Sequence, residues 1–406
     1  MDEQEAITKA QALLNRPGDA NVSPLAVYRR AAKADSVQQR RPNVVLIMME
    51  SMSAKFMKHF GQSETLTPFL DSLYTRSISF RNFYSAGIHT NHGLYATLYS
   101  FPAMMKRNLM KGSVIPRYSG LPTVLKENGY YNLFFMTHEG QYDNMNAFFR
   151  TNGYDEVFSQ EDYPADKVVN SFGVQDDFLY DYAIPVLNQR AATGQPFFAT
   201  LLSISNHPPY VIPPFFHPKT SEPEMQIVEY ADWALRQFFE EARKQPWFDN
   251  TIFVLEGDHG KLVGDAECEL PESYNHIPLM IYSSRIQPEE KTAFGGQVDI
   301  QPTILGLLNI DYLQNNFGVD LLKEERPCMF YTADNMVVGR NDTLLYLYNY
   351  ETQQELTYDI GNGKLNAVPM DDSFFPLKEY SFSMLQSAEF LVKHGKTLNS
   401  IPFTQQ

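Results

Sequence analysis

Four residues far apart in the chain carry side chains that suit a reactive metal centre: Glu50, Thr90, Asp258 and His259. Carboxylate oxygens and imidazole nitrogens ligate divalent cations, and mixed oxygen and nitrogen ligation suits Mn²⁺ or Zn²⁺ better than Mg²⁺. A hydroxyl coordinated to such an ion loses its proton far more readily, as metal-bound water does. Thr90 would then be an alkoxide at neutral pH, able to attack a phosphorus or sulfur ester and form a covalent intermediate. Taken singly, each residue has a plainer role. Threonine at a helix start is ordinarily a cap, and an Asp-His pair after a strand is ordinarily structural. What sets the four apart is where they sit.

Glu50 closes NVVLIMMES, residues 43–51, in which Val44 to Met49 are continuously apolar. Such a run reads as a strand buried on both faces inside a parallel sheet. TIFVLEGDHG, 251–260, repeats the pattern and delivers Glu256, Asp258 and His259. Ligands of open α/β sheets collect beyond the carboxyl ends of strands like these, so both runs aim their polar residues at one edge. Thr90 opens NHGLYATLYS, 91–100, read as a short helix, and there feels the positive end of the helix dipole.

The remaining pattern alternates. Helices are expected over 2–15, from Ser23 as N-cap with Pro24 following, over 67–77, from Leu121 to a Gly129 stop, over 172–189 and around 223–244. Strands are expected over 78–86, after Gly129, over 196–205 and over 277–284. From about 325 polar and apolar residues alternate across turn signals, which reads as a small antiparallel sheet. The expected fold class is α/β, a doubly wound and mostly parallel sheet covered by helices, with that small sheet as a subdomain. The expected divisions are an N-terminal helical arm over 1–41, a catalytic domain over 42–324 and a C-terminal α+β subdomain over 325–406.

With 43% hydrophobic and 20% charged residues the 406-residue chain is globular. Its formal charge of −15 argues against a nucleic-acid partner, which would call for clustered Lys and Arg. Arg29, Arg30, Lys33, Arg40 and Arg41 are a local exception, read as a solvated linker or as a contact for anionic headgroups. Two cysteines, Cys268 and Cys328, exclude a disulfide framework. No apolar run reaches the roughly 18 residues a bilayer span needs, and the polar start shows no signal peptide. As given, the chain reads as a soluble polypeptide or an excised ectodomain.

The strings MMES, GIHTNHGLYATL, HEGQYDNMNAFFRTNGYDEVF, SNHPPY, EGDHG and VDIQPTIL occur in this order. Together they resemble the catalytic domain of the lipoteichoic-acid synthase family, sulfatase-like phosphoglycerol transferases within the alkaline phosphatase superfamily, over about residues 42–350. The resemblance implies that Glu50, Asp258 and His259 ligate one divalent metal, Mn²⁺ before Mg²⁺ or Zn²⁺, with Thr90 as both nucleophile and ligand. It implies that His207 and His138 bind the substrate's phosphoglycerol group, with Asp143 and Asn144 in the same pocket loop. It further implies a phospholipid donor such as phosphatidylglycerol, a glycan or polyol acceptor, and a place on the extracytoplasmic face of a bacterial cytoplasmic membrane. His89 and His92 flank Thr90 and are candidates either for ligating or hydrogen-bonding phosphate oxygens or for shaping the helix entry. His276, before IPLMIY, reads as a strand-entry residue, and His59 and His217 as surface residues.

The departures narrow the chemistry. Relatives acting on lipoteichoic acid carry a Trp and an Arg downstream of the pocket histidine, where QYDNMN stands here, as in phosphoglycerol transferases acting on other glycans. True sulfatases place Cys or Ser in a C/S-x-P-x-R motif at the nucleophile, where this chain has Thr90-Asn91-His92. Phosphoethanolamine transferases also use Thr but are typically disulfide-rich. The alternatives are a hydrolase of the same superfamily, in which water resolves the Thr90 adduct, and a non-catalytic glycan- or lipid-binding relative.

Overall fold

A computed structural model describes residues 1–17, 19–21, 25, 27–29 and 41–398. Its centre is an eight-stranded sheet. In spatial order the strands are Glu289–Gly296, Ile78–Tyr84, Leu279–Tyr282, Thr251–Gly257, Asn43–Met49, Phe197–Leu202, Tyr131–Phe135 and Glu156–Phe158. All pair in parallel except Leu279–Tyr282, which runs antiparallel to both neighbours. The α/β, mostly parallel reading therefore holds.

The Asn43–Met49, Phe197–Leu202 and Thr251–Gly257 strands are buried at every position, as their unbroken apolar runs require. Even-numbered residues such as Val44, Leu46 and Met48 join one core layer, and Val45, Ile47 and Met49 join the other. That split is the period-2 signature of a sheet covered on both faces.

The helices Pro68–Tyr74, Thr90–Tyr99, Leu121–Glu127, Asp176–Ala192 and Pro223–Ala242 fall where periodicity places them. Strand Glu289–Gly296 and helices Ile300–Leu307 and Phe375–Lys393 go beyond the expected elements. One expectation fails. Ser23 and Pro24 lie outside the described residues, and Val27–Arg29 just beyond them is a strand, paired antiparallel with Tyr312–Gln314. Backbone pairing in a sheet satisfies these few residues better than an isolated short helix would.

Arg29 is likewise no surface cation. It is buried, bonded to Asp19 at 2.9 Å, to Gln314 at 2.7 Å and to the Leu14 carbonyl at 3.0 Å. Arg41 donates to the Asn128 carbonyl, while Arg30, Lys33 and Arg40 lie outside the described residues.

Beyond residue 325, strands Met329–Thr332, Met336–Arg340, Leu344–Asn349, Gln354–Asp359 and Asn366–Ala367 form an antiparallel sheet backed by helix Phe375–Lys393. Its buried side chains join the core layer that holds Phe83 and Tyr95. The buried pair between Arg326 and Asp299 and the pair between Arg340 and Glu272 tie it to the main sheet. Helix Glu3–Leu14 packs against Phe375–Lys393, with Lys9 paired to Glu379 and Lys393 to Glu3.

Candidate metal centre and nucleophile

Four parallel strands lie side by side and end at the same edge: Thr251–Gly257, Asn43–Met49, Phe197–Leu202 and Tyr131–Phe135. Just past these ends come Asp258 and His259, Glu50, His207 and His138. The register sets Met49 opposite Gly257, so Glu50 and Asp258 leave the sheet next to each other.

Ser51, with φ of 51°, turns the chain sharply after Glu50. The turn is held by its amide donating to Asp258 Oδ1 at 2.8 Å and its hydroxyl donating to Glu50 Oε1 at 2.6 Å. Glu50 N donates to Ser203 Oγ at 3.1 Å. Asp258 Oδ1 also accepts from the His259 amide at 2.7 Å. Gln297 Nε2 donates to the Asp258 carbonyl at 2.7 Å and fixes the chain there.

Glu50, Asp258 and His259 each place one ligand atom within 4.8 Å of the others. His259 Nε2 is 3.6 Å from Asp258 Oδ2 and 3.9 Å from Glu50 Oε1. Its Nδ1 faces the Gly260 carbonyl at 2.7 Å, which assigns the proton to Nδ1 and leaves the Nε2 lone pair toward the acids. Asp258 Oδ2 is buried without a hydrogen-bond partner. Burial, then repulsion from Asp258, pushes the Glu50 carboxyl up to about 7. Burial works against protonation of His259, but Asp258 and Glu50 outweigh it and raise its pKa. Two carboxylates out of water, one oxygen orphaned and an imidazole lone pair beside them form a group that could hold a cation. The donor set suits one divalent ion. Glu256, on the same strand, is not part of it. It accepts from Thr97 Oγ1 at 2.6 Å and so fastens the Thr90–Tyr99 helix, and burial raises its pKa well above the ordinary carboxylate value.

Thr90 is the first residue of that helix, with His89 as the N-cap. Its hydroxyl donates to Glu50 Oε2 at 3.4 Å and not to its own helix. The nucleophile candidate therefore joins the other three, at the helix end whose free amides favour negative charge.

The pocket residues separate into groups. His138 is 2% exposed, its Nδ1 faces the Glu139 carbonyl at 3.1 Å, and burial lowers its pKa. Its ring lies 4.7 Å from that of Tyr142, and Phe172 lies 3.9 Å from His207. His207 lies close enough to act electrostatically on both His138 and Glu50, lowering the pKa of each. Asp143 accepts from Asn91 Nδ2 at 3.3 Å and pairs with Lys111 at 2.7 Å, linking the pocket loop to the residue after Thr90. Asn144 donates to the Met110 carbonyl at 3.0 Å.

His92 is 1% exposed and packs on Gly87, where an added Cβ would meet its Nδ1 at 2.3 Å. Burial, then His89, pushes it down to about 3, so it is a neutral interior ring. His89 instead faces Asp334 of the C-terminal sheet at 2.7 Å. His276 bonds the Arg81 carbonyl at 2.8 Å and stacks on Tyr84. His59 pairs with Glu290 at 2.7 Å, and His217 is exposed.

Sequence reasoning missed Ser51, Ser203, Asn206 and Lys261, all of which contact the centre or its loops. Proximity to Glu50 and His259 in the chain was the available signal for Ser51 and Lys261. Ser203 and Asn206 had only the SNHPPY string.

The sulfatase family matches residues 42–310. Lipoteichoic acid synthase 2 of Bacillus subtilis is 24% identical over 315 residues, 70% of this chain and 47% of that protein. Phosphoglycerol transferase I of Xanthomonas campestris is 25% identical over 322 residues, 75% of this chain and 46% of that protein. The chain thus spans about half the length of these curated relatives. Among solved structures, a Vibrio parahaemolyticus protein of the alkaline phosphatase superfamily superposes with a TM-score of 0.85 at 27% identity over 97% of both chains. Since the family match runs from the first core strand to the end of helix Ile300–Leu307 and takes in Glu50, Thr90, Asp258 and His259, this chain belongs to the sulfatase family, on the alkaline phosphatase fold.

Proposed function

We propose that this chain is the catalytic part of a metal-dependent phosphoglycerol transferase that uses Thr90 as its nucleophile. The observation that carries the reading is Thr90 Oγ1 lying 3.4 Å from Glu50 within the Glu50, Asp258 and His259 cluster. Two relatives bearing the names lipoteichoic acid synthase and phosphoglycerol transferase support it.

Glu50, Asp258 and His259 would hold the ion, Mn²⁺ by preference with Mg²⁺ or Zn²⁺ as alternatives, and Thr90 would adjoin it. A bound divalent cation offsets charge on phosphate oxygens and makes a neighbouring hydroxyl more acidic. Thr90 Oγ attacks the phosphorus of a phosphatidylglycerol-like phosphodiester. The bond to the diacylglycerol oxygen breaks, and diacylglycerol leaves with the proton that Thr90 gives up. An acceptor hydroxyl then attacks the same phosphorus, its proton returns to Thr90, and the phosphoglyceryl group moves to a glycan or polyol. His207 and His138 hold the glyceryl end, with Asp143 and Asn144 shaping the loop around it. His92, from its interior position, would act by supporting the Thr90 helix.

Among the described residues no helix is long and apolar enough to cross a membrane. The donor is a lipid, so the enzyme works at a membrane surface, which we place on the outer face of the bacterial cytoplasmic membrane in the cell envelope.

Intact-mass measurement after incubation with phosphatidylglycerol and Mn²⁺ tests the reading. A phosphoglyceryl mass gain on the native chain, absent from Thr90→Ala, is expected. No gain with Mn²⁺, Mg²⁺ or Zn²⁺ overturns transfer, and rapid turnover of phosphodiester with no polyol present assigns hydrolysis instead.

A further inference from the structure

The segment that carries His207 is held at both ends by a residue outside it. Lys261 Nζ lies 2.7 Å from Asn206 Oδ1 and 3.0 Å from Tyr210 Oη, so one ammonium bridges the residue before His207 and the residue three beyond it. Asn206 passes the connection on. Its Nδ2 donates to the carbonyls of Glu50 and Ser51, both at 3.1 Å. Lys261 itself follows His259 by two residues, so the bridge starts and ends on the chain that bears the metal-ligand candidates.

The lysine is built into its place. Its side chain is 15% exposed, with Nζ 4.8 Å from the Tyr210 ring centroid and 5.3 Å from that of Phe56. Its third donor meets Glu224 at 3.3 Å, which completes the three bonds an ammonium can make. His207, by contrast, has slight anchorage of its own. Its Nδ1 faces the carbonyl of its chain neighbour Pro208 at 2.6 Å and its ring rests on Phe172. Earlier in the segment, Asp176 holds the amides of Ile204 and Ser205 at 2.8 and 3.0 Å. Of these side-chain anchors, Lys261 is the one that reaches past His207 to Tyr210.

We propose that Lys261 is a positioning residue that clamps the Asn206–Tyr210 segment and so sets His207 against the Glu50, Asp258 and His259 centre, governing recognition of the donor's glyceryl phosphate. This rests on the reading above that His207 contacts that headgroup. Methionine in place of Lys261 keeps the apolar stem and removes the three bonds, whereas arginine keeps the charge and donors.

The test compares wild type, Lys261→Met, Lys261→Arg, His207→Ala and the Met/Ala double variant. Each is assayed with phosphatidylglycerol vesicles and with bis-p-nitrophenyl phosphate, which lacks glycerol. Lys261→Met should raise KM for the lipid roughly tenfold or more while lowering kcat/KM for the chromogenic ester far less, with partial recovery in Lys261→Arg. The double variant should be no worse than His207→Ala, because the lysine acts through the histidine. Additive losses, or equal losses on both substrates tracking a fallen Tm, overturn the proposal. A crystal structure of Lys261→Met separates it from the donor reading. A segment found in its native place sinks the clamp, and a displaced segment in an enzyme whose wild type ignores phosphatidylglycerol keeps the clamp and sinks the donor.

Discussion

Gly93, one turn into the Thr90–Tyr99 helix, lies against Asp258 so closely that an added Cβ would sit 2.3 Å from the Asp258 carbonyl oxygen and 2.9 Å from Gln297 Nε2. The helix that presents Thr90 thus rests directly on the chain that presents the Asp258 carboxylate. Neither backbone nor the Gln297 amide, itself bonded to that carbonyl, can yield cheaply. Gly93→Ala should destabilise the protein by about 1–3 kcal/mol through overpacking and weaken metal binding together with activity. Thermal melts and Mn²⁺ titration of the same variant check it, and a native-like result on both would mean the contact is looser than described.

Thr90 should be indispensable in a graded way. Thr90→Ala removes the attacking oxygen and should lower kcat by roughly a thousandfold or more, while Thr90→Ser keeps a hydroxyl and should retain measurable adduct formation. Steady-state rates with intact-mass detection distinguish the two.

Removing one carboxylate should matter more to the metal than to the fold. Asp258 Oδ2 has no hydrogen-bond partner, so Asp258→Asn relieves electrostatic crowding on Glu50 while removing an anionic ligand. The expected outcome is metal-free protein at least as stable as wild type, with Mn²⁺ affinity down by tenfold or more, read by calorimetry.

Protons should compete with the ion. Burial, then Asp258, raises Glu50 to about 7, so below that pH the carboxyl is increasingly protonated and must release its proton on binding. Apparent Mn²⁺ affinity should rise with pH through about 7, as Glu50 and His259, whose pKa is also raised, give up their protons to the ion. Titrations in buffers of differing ionisation enthalpy would reveal the released proton, and an affinity independent of pH from about 5.5 to about 8, on either side of the Glu50 value, would contradict this.

Glu272 offers a stability test away from the centre. Burial alone would raise its carboxyl, but Arg340 outweighs this and holds it down to about 2, below its unfolded value. Its contribution is therefore present above about 4.5 and fades as pH falls through about 2. Glu272→Gln should cost about 1 kcal/mol at neutral pH, modest because the glutamate is partly exposed. The variant and wild-type unfolding curves should converge in acid.

Much was legible in the chain because its signals are local. Continuous apolar runs such as Val44–Met49 read as strands covered on both faces, and Glu50 and Asp258 close behind two of them mark the edge of the sheet where the candidate site lies. Thr90 at a helix start was equally readable. What remained hidden depends on partners distant in sequence. Nothing local makes Leu279–Tyr282 antiparallel, turns Val27–Arg29 into a strand or buries His92, since each outcome is decided by the neighbour it meets.

By itself, then, the sequence determined the α/β class, the buried strands and the residue types at their ends, because backbone periodicity and side-chain burial act over a few residues. Only the tertiary structure decided that the strands leading to Asp258, Glu50, His207 and His138 lie side by side, and that Lys261 bonds both Asn206 and Tyr210. Strand order and register are chosen by the packing of whole layers, an energy shared among residues hundreds of positions apart and written at no single one of them.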